Sequence, residues 1–311
     1  METVSCNLCQ SSRFKQLFQL SDLLLERDDV QVSLVQCQEC GLVYQNPRPS
    51  FDEMGQHYPP EYESHAPTLK NSNNSLLLNR ALQYGMDKRR RFITRQKNQG
   101  RLLDIGCATG HFLRNMGKLG SWELMGVETS AHAAGIARDK YNLDVFTGTV
   151  EEANFPDQFF DVITMWDVME HLHNPLESLY EINRILKEDG TLVFRVPNGN
   201  SWDAKLFGST WAGLDAPRHL YVFTPKTITK MLHLSKFKII ETSCRIGTYP
   251  TFVLDVRFWL YKRKMKSEHR QFIVDFLYHP ISRILSSPIF FLGSMDLKGP
   301  LMTITAIKNN D

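Results

Sequence analysis

The stretch Arg101–Gly110, RLLDIGCATG, constrains the fold more than any other part of the chain. Leu102, Leu103 and Ile105 make a short apolar run that breaks off at a glycine-rich turn, and His111, Phe112 and Leu113 resume with helical spacing. That pattern predicts a buried strand, a tight turn and a helix start. Gly106 and Gly110 can take backbone angles closed to residues with a Cβ, so a ligand can lie against their main chain. Asp104 stands at the end of the strand, where its carboxylate would face that ligand. A carboxylate beside an open glycine turn suits a cation better than a pyrophosphate. The spacing of Gly106, Ala108 and Gly110 also differs from the G-x-G-x-x-G of dinucleotide sites.

At this turn the chain resembles the class I S-adenosylmethionine-dependent methyltransferases, whose first motif is an acidic residue followed by G-x-G-x-G. The resemblance spans roughly Gly100 to Arg245. It implies that the turn of Gly106, Cys107 and Gly110 wraps the methionine end of the cofactor and that Asp104 binds its amino group. Ala108 departs from the pattern, standing where the family has its middle glycine. Trp122 to Val127 reads as a second strand with Glu128 at its tip, about twenty residues beyond the turn, placed to accept both hydroxyls of a ribose. The resemblance implies that same role for Glu128, and adenine contacts for Thr149 and Val150 after a third strand, Leu143 to Phe146.

A fourth strand, Asp161 to Trp166, runs into Asp167-Val168-Met169-Glu170-His171. Strand ends in an open parallel sheet are where ligands bind, so Asp167 is expected on the cofactor and the cluster beside the methyl group. FDVITMWDVMEHL resembles the fourth motif of ubiquinone-pathway O-methyltransferases and sugar C-methyltransferases. Three readings of the pair stay open. His171 could be a general base oriented by Glu170; Asp167, Glu170 and His171 could hold a divalent metal; or Glu170 and His171 could simply cap the helix that starts at Asn174-Pro175.

Towards the N-terminus, Cys6-x-x-Cys9 and Cys37-x-x-Cys40 have the pairing that a structural tetrahedral zinc site with four thiolates requires. Residues 1–45 are therefore expected to form a zinc ribbon. The proline- and tyrosine-rich residues 46–75 read as a linker. A helix from about Leu76 leads to the first strand, with Lys88 to Arg91 as a solvated basic face.

Beyond the fourth strand, Pro175 to Leu186 has the spacing of an amphipathic helix, ended by Asp189-Gly190 before a fifth strand, Thr191 to Val196. Pro197 to Pro225 is long for a connection in such a sheet and reads as a lid. Its DAPRHLYVFTP resembles a segment of methyltransferases that carry an N-terminal zinc unit. Arg218 and His219 would suit an anionic substrate, with His219 as an alternative base to His171. Lys238 to Ser243 is a sixth strand, and Leu301 to Ile307 the closing strand of the family's fold. Residues 246–299 are then a helical insertion mixing aromatics with Lys and Arg, consistent with membrane-surface contact or with packing and homo-oligomerisation.

The formal net charge of +2 argues weakly against nucleic acid as a partner, no run approaches a membrane span, and METVSCNLC has no signal-peptide pattern. A cytoplasmic protein, peripheral to a membrane if the insertion binds one, is expected. The fold class is α/β: a doubly wound, mostly parallel seven-stranded sheet over residues 76–245 and 300–311, with the zinc ribbon and the insertion appended. The resemblance implies S-adenosylmethionine-dependent methylation, O- or C-, of a small molecule such as a nucleotide- or lipid-linked sugar or glycan intermediate. A quinone-type acceptor, RNA, and cofactor binding without turnover are the alternatives.

Overall fold

A computed structural model describes residues 1–59, 76–245, 248–293 and 296–309. In chain order the elements are β1 (Phe14–Asp22), β2 (Arg27–Cys37), β3 (Val43–Gln45), α1 (Phe51–Met54), α2 (Leu76–Thr94), β4 (Gly100–Ile105), α3 (His111–Gly117), β5 (Trp122–Glu128), α4 (Ala131–Tyr141) and β6 (Asp144–Thr147). They continue with β7 (Phe160–Trp166), α5 (Pro175–Ile185), β8 (Leu186–Pro197), α6 (Trp202–Phe207), β9 (Tyr221–Val222), α7 (Pro225–Leu234), β10 (Phe237–Ser243), α8 (Thr248–Lys262), α9 (Ser267–Tyr278), α10 (Pro280–Gly293) and β11 (Leu301–Lys308). Contacts divide the chain into two units: Met1–Ser72 with Pro197–Ile228 and Ser243–Met302, and Asn73–Val196 with Thr229–Thr242 and Thr303–Asp311.

The second unit carries the expected α/β architecture. Its seven strands run in the order β10-β11-β8-β7-β4-β5-β6. The β7–β4, β4–β5, β5–β6 and β7–β8 pairs are parallel. Helices on both faces explain why the central strands read as unbroken apolar runs. Leu102, Leu103, Val162, Ile163, Leu192, Val193 and Phe194 are all fully buried, each worth about 1.5–3 kcal/mol of transfer free energy. Local signals set the helix ends: the Ser130 hydroxyl accepts from the Ala133 N–H at 3.3 Å at the start of α4, and Asn142 closes it in the left-handed region at φ 51°. Asp189-Gly190, expected as a turn, lies inside β8. The pairing of β7 with β8 slips there, from Phe160↔Leu186 to Val162↔Thr191, so the residues around Asp189-Gly190 are extra to the ladder without ending the strand.

The first unit extends beyond the zinc ribbon expected over residues 1–45. Its antiparallel sheet has the order β1-β2-β3-β9, and the fourth strand comes from the segment read as a lid. Leu20, Val32 and Leu34 pack with Trp211, Leu214, Ala216 and Val222, and Leu23 packs with Ala212 and Phe258. Residues 46–59 of the expected linker also belong here, with His57 9% exposed, while 60–75 lie outside the described residues. The 246–299 insertion is helical as expected, supplying α8, α9 and α10.

Candidate active site

In the second unit the ends of β4, β5, β6 and β7 stand in register, Ile105 opposite Val127 and Met165, and Val127 opposite Phe146. Four of the loops that follow these strands carry the expected ligand residues. The turn after β4 is the tightest: Gly106 has φ +69° and Gly110 φ +77°, and a Cβ on Gly106 would lie 2.5 Å from Val168 Cγ2. Ala108, between them, is also left-handed at φ 48°, a conformation that costs an L-residue roughly 1–2 kcal/mol. The missing middle glycine is thus retained as geometry though not as a residue. Cys107 packs its thiol beneath the turn, where a Cβ on Gly126 would come within 2.6 Å of the sulfur. Burial pushes that thiol's pKa up.

Asp104 is 2% exposed. Its Oδ1 accepts a 2.6 Å hydrogen bond from the Thr164 hydroxyl. Burial pushes its pKa up to about 7, against the opposing pull of Thr164 and Arg89. Glu128 accepts from the Ala108 N–H at 2.9 Å and from the Ser130 N–H at 2.8 Å, which ties the tip of β5 to the glycine turn. After β6 the Thr149 N–H donates to Glu152 at 2.8 Å, and Val150 is buried.

Asp167, at φ 61° past the end of β7, is taken up by two cations. Arg195 of β8 donates to both its carboxylate oxygens, one at 2.7 Å, and Arg89 of α2 lies 3.5 Å away. Arg195 is buried, which disfavours its charge, yet Asp167 and Glu170 hold its pKa above the ordinary value. Arg89, over the Trp166 ring at 5.0 Å, is brought down to about 10 by burial and by Arg195. These partners correct one member of the divalent-metal reading: Arg195 holds the Asp167 carboxylate, whereas Glu170 and His171 do belong to a converging group of metal-ligating atoms. Among the described residues, no converging group of metal-ligating atoms includes Asp167. Glu170 is fully buried and His171 half-buried, in a short helical turn where the His171 N–H donates to Val168 O at 2.9 Å.

Arg89, Thr164 and Arg195 were missed from the sequence, although two signals were present. Arg195 interrupts an apolar strand, VFRVP, and Arg89 lies three and four residues before the buried Phe92 and Ile93, hence on the inward face of α2.

The first unit holds the remaining candidates. The Sγ atoms of Cys6, Cys9, Cys37 and Cys40 lie within 4.8 Å of one another, with Cys6–Cys40 at 3.4 Å and Cys9–Cys37 at 3.5 Å. Tetrahedral zinc–thiolate bonds of about 2.3 Å put sulfurs about 3.8 Å apart, so the donor set fits zinc. Burial raises the Cys40 thiol to about 11, while the Cys40 and Glu39 N–H groups outweigh burial at Cys37 and bring it to about 7. Arg218, expected to face an anionic substrate, is fully buried. It donates to Asp22 at 2.7 and 2.9 Å and to Asp215 at 2.7 and 3.0 Å, so it is a structural cation. His219 beside it donates from Nδ1 to Gly213 O at 2.9 Å, and its Nε2 lies 4.0 Å from an Asp215 carboxylate oxygen.

Residues 78–242 match the family model Methyltransf_23, described as a methyltransferase domain, which is more than half of the chain. The chain belongs to this methyltransferase family. The methyltransferase domain is of the class I S-adenosylmethionine-dependent type. A mitochondrial ubiquinone biosynthesis O-methyltransferase of Schizosaccharomyces pombe is 32% identical over 101 residues, 30% of this chain and 36% of the relative. A structure described as a putative methyltransferase of Bacillus halodurans superposes with a TM-score of 0.50 at 18% identity, over 72% of this chain and 99% of that one. The [4+2]-cyclase SpnF superposes with a TM-score of 0.52 at 18% identity, over 85% and 98%. The chain spans 36–47% of the length of the first curated relatives it matches. No helix among the described residues is long and apolar enough to cross a membrane.

Proposed function

We propose that the chain transfers a methyl group from S-adenosylmethionine to a small polar acceptor, a nucleotide-linked sugar or glycan intermediate, at oxygen or carbon. The observation that carries the reading is the alignment of Asp104, the turn at Gly106–Gly110 and Glu128 at the ends of adjacent parallel strands. When bound, the cofactor supplies an electrophilic methyl group on a sulfonium. Asp104, buried with a raised pKa, would be the counter-ion of the cationic amino end, with the Gly106, Cys107 and Gly110 backbone holding that end. Glu128 would hold the ribose hydroxyls, Thr149 and Val150 would contact the adenine, and Arg89, paired with Asp167 at 3.5 Å, would hold the cofactor's carboxylate.

His171 takes the acceptor's proton, with Glu170 fixing the ring. His219 is the alternative base. Holding nucleophile and methyl carbon in line supplies most of the acceleration and proton removal the remainder. The four cysteines hold a structural zinc ion.

A quinone-type phenol is a second acceptor class, favoured by the ubiquinone-pathway names of several relatives. Incubation with methyl-labelled cofactor and separate panels of nucleotide sugars, catechols and RNA tests these readings. Label in a sugar supports the first and label in a catechol the second. Cofactor binding without transfer to any panel would leave a non-catalytic binding module and overturn the activity.

A further inference from the structure

We propose that α9 and α10 form a surface that docks onto an anionic lipid bilayer. Phe272 and Phe276, one turn apart on α9, are 73% and 63% exposed. On α10 Ile281, Ile284 and Leu285 are 60%, 70% and 74% exposed, again with helical spacing. Side chains of this size standing this far out on two consecutive helices mark an interaction surface, since single exposed apolar residues are common and clusters are not. The inward side of α9, with Ile273, Val274 and Leu277 half-buried, accounts for the helix's own packing, so the outer phenylalanines serve something else.

Charge selects the occupant. From Lys262 to Arg283 six residues are basic (Lys262, Arg263, Lys264, Lys266, Arg270 and Arg283) and two acidic, Glu268 and Asp275. A groove of about 460 Å³ beside the start of α9 is lined by Tyr261, Lys262, Lys264, Met265 and Arg270, facing Asp28 and Gln31 of β2. Part of its positive charge is already met, because Arg270 pairs with Glu26 at 2.9 Å. Lys262, which donates to the Ser21 hydroxyl at 3.3 Å, and Lys264 are exposed at its mouth. Apolar side chains next to cationic ones are the composition of a helix that lies in the interface of an anionic membrane. A second copy would meet this surface with the same patch across a two-fold axis, setting like charges together. No described helix can span the bilayer, so the contact is peripheral.

Co-sedimentation of the full chain with vesicles of phosphatidylcholine, with and without phosphatidylserine, tests this at low and high salt. Binding is expected to the phosphatidylserine vesicles and to weaken with salt. It should fall about tenfold or more in Phe272→Ser/Phe276→Ser and in Lys262→Glu/Lys264→Glu. All four positions are exposed, and unchanged melting temperatures would confirm that both variants fold. Absence of vesicle binding, or binding indifferent to both variants, would overturn the proposal. So would a dimer, seen by light scattering without lipid, that the Phe272→Ser/Phe276→Ser change dissociates.

Discussion

Asp104→Asn separates what the cofactor site does for binding from what it does to the fold. In the ligand-free protein the Asp104 carboxylate is 2% exposed, and its pKa is pushed up from 3.8 to about 7 by burial, with the Glu128 charge adding. The folded state therefore holds this proton more tightly than the unfolded chain. The associated stability is fully present below about pH 4 and is lost as the pH rises through about 7. About three pH units at roughly 1.4 kcal/mol each set a ceiling near 4 kcal/mol, a large share of a domain's net stability. Asparagine keeps the shape and still accepts from Thr164, but cannot ionise. Without ligand, the Asp104→Asn variant should be more stable than the parent by up to about 4 kcal/mol near pH 8, and by little near pH 4.5. Urea unfolding at the two pH values measures the difference, and calorimetric titration of S-adenosylmethionine should show affinity reduced at least about tenfold. A stability difference that does not grow with pH, or a variant weaker than the parent near pH 8, would refute the reasoning.

Metal analysis should find one zinc ion per chain, and a strong chelator should lower the melting temperature by several degrees, with Cys6→Ser abolishing both the metal and the chelator's effect. Arg218→Met leaves Asp215 without its buried cation and Asp22 with Arg27 alone, and should cost about 3 kcal/mol in urea unfolding. Against burial, Arg218 and Arg27 hold the Asp22 pKa below 3.8, so the parent should lose this contribution as the pH falls below about 4, and the variant should show less of that loss. Gly106→Ala forces a Cβ into Val168 at positive φ and should reduce cofactor affinity about tenfold or more, whereas Ala108→Gly relieves the left-handed alanine and should leave stability unchanged or raise it by up to about 1 kcal/mol. Titration calorimetry and thermal melts distinguish the two.

Much of the sheet was legible because its information is local. Apolar runs ending at Gly106, Glu128 and Asp167 mark strands β4, β5 and β7 within a residue or two, and Ser130 marks the start of α4. What stayed hidden depends on partners far along the chain. Arg218 carries nothing in its sequence neighbourhood to say that Asp22, 196 residues away, neutralises it. Tyr221–Val222 is too short to announce a strand, and becomes one only because β3 offers an edge. Asp189-Gly190 has the composition of a turn, and the β7–β8 pairing, which resumes at Val162↔Thr191, keeps it within one strand. Arg89 and Arg195 lay within reach, since a charge on an apolar face or in an apolar strand needs a buried partner.

The strand Tyr221–Val222 also bears on how the molecule is made. Its partner Val43–Gln45 leaves the ribosome long before it, so the cysteine-bearing sheet emerges with an unpaired edge that waits through the synthesis of the whole central region. A chaperone would shield that edge during translation. For the same reason, a fragment cut after β3 would carry an open strand, and expressing residues 1–45 alone should yield an aggregating peptide instead of a miniature zinc module.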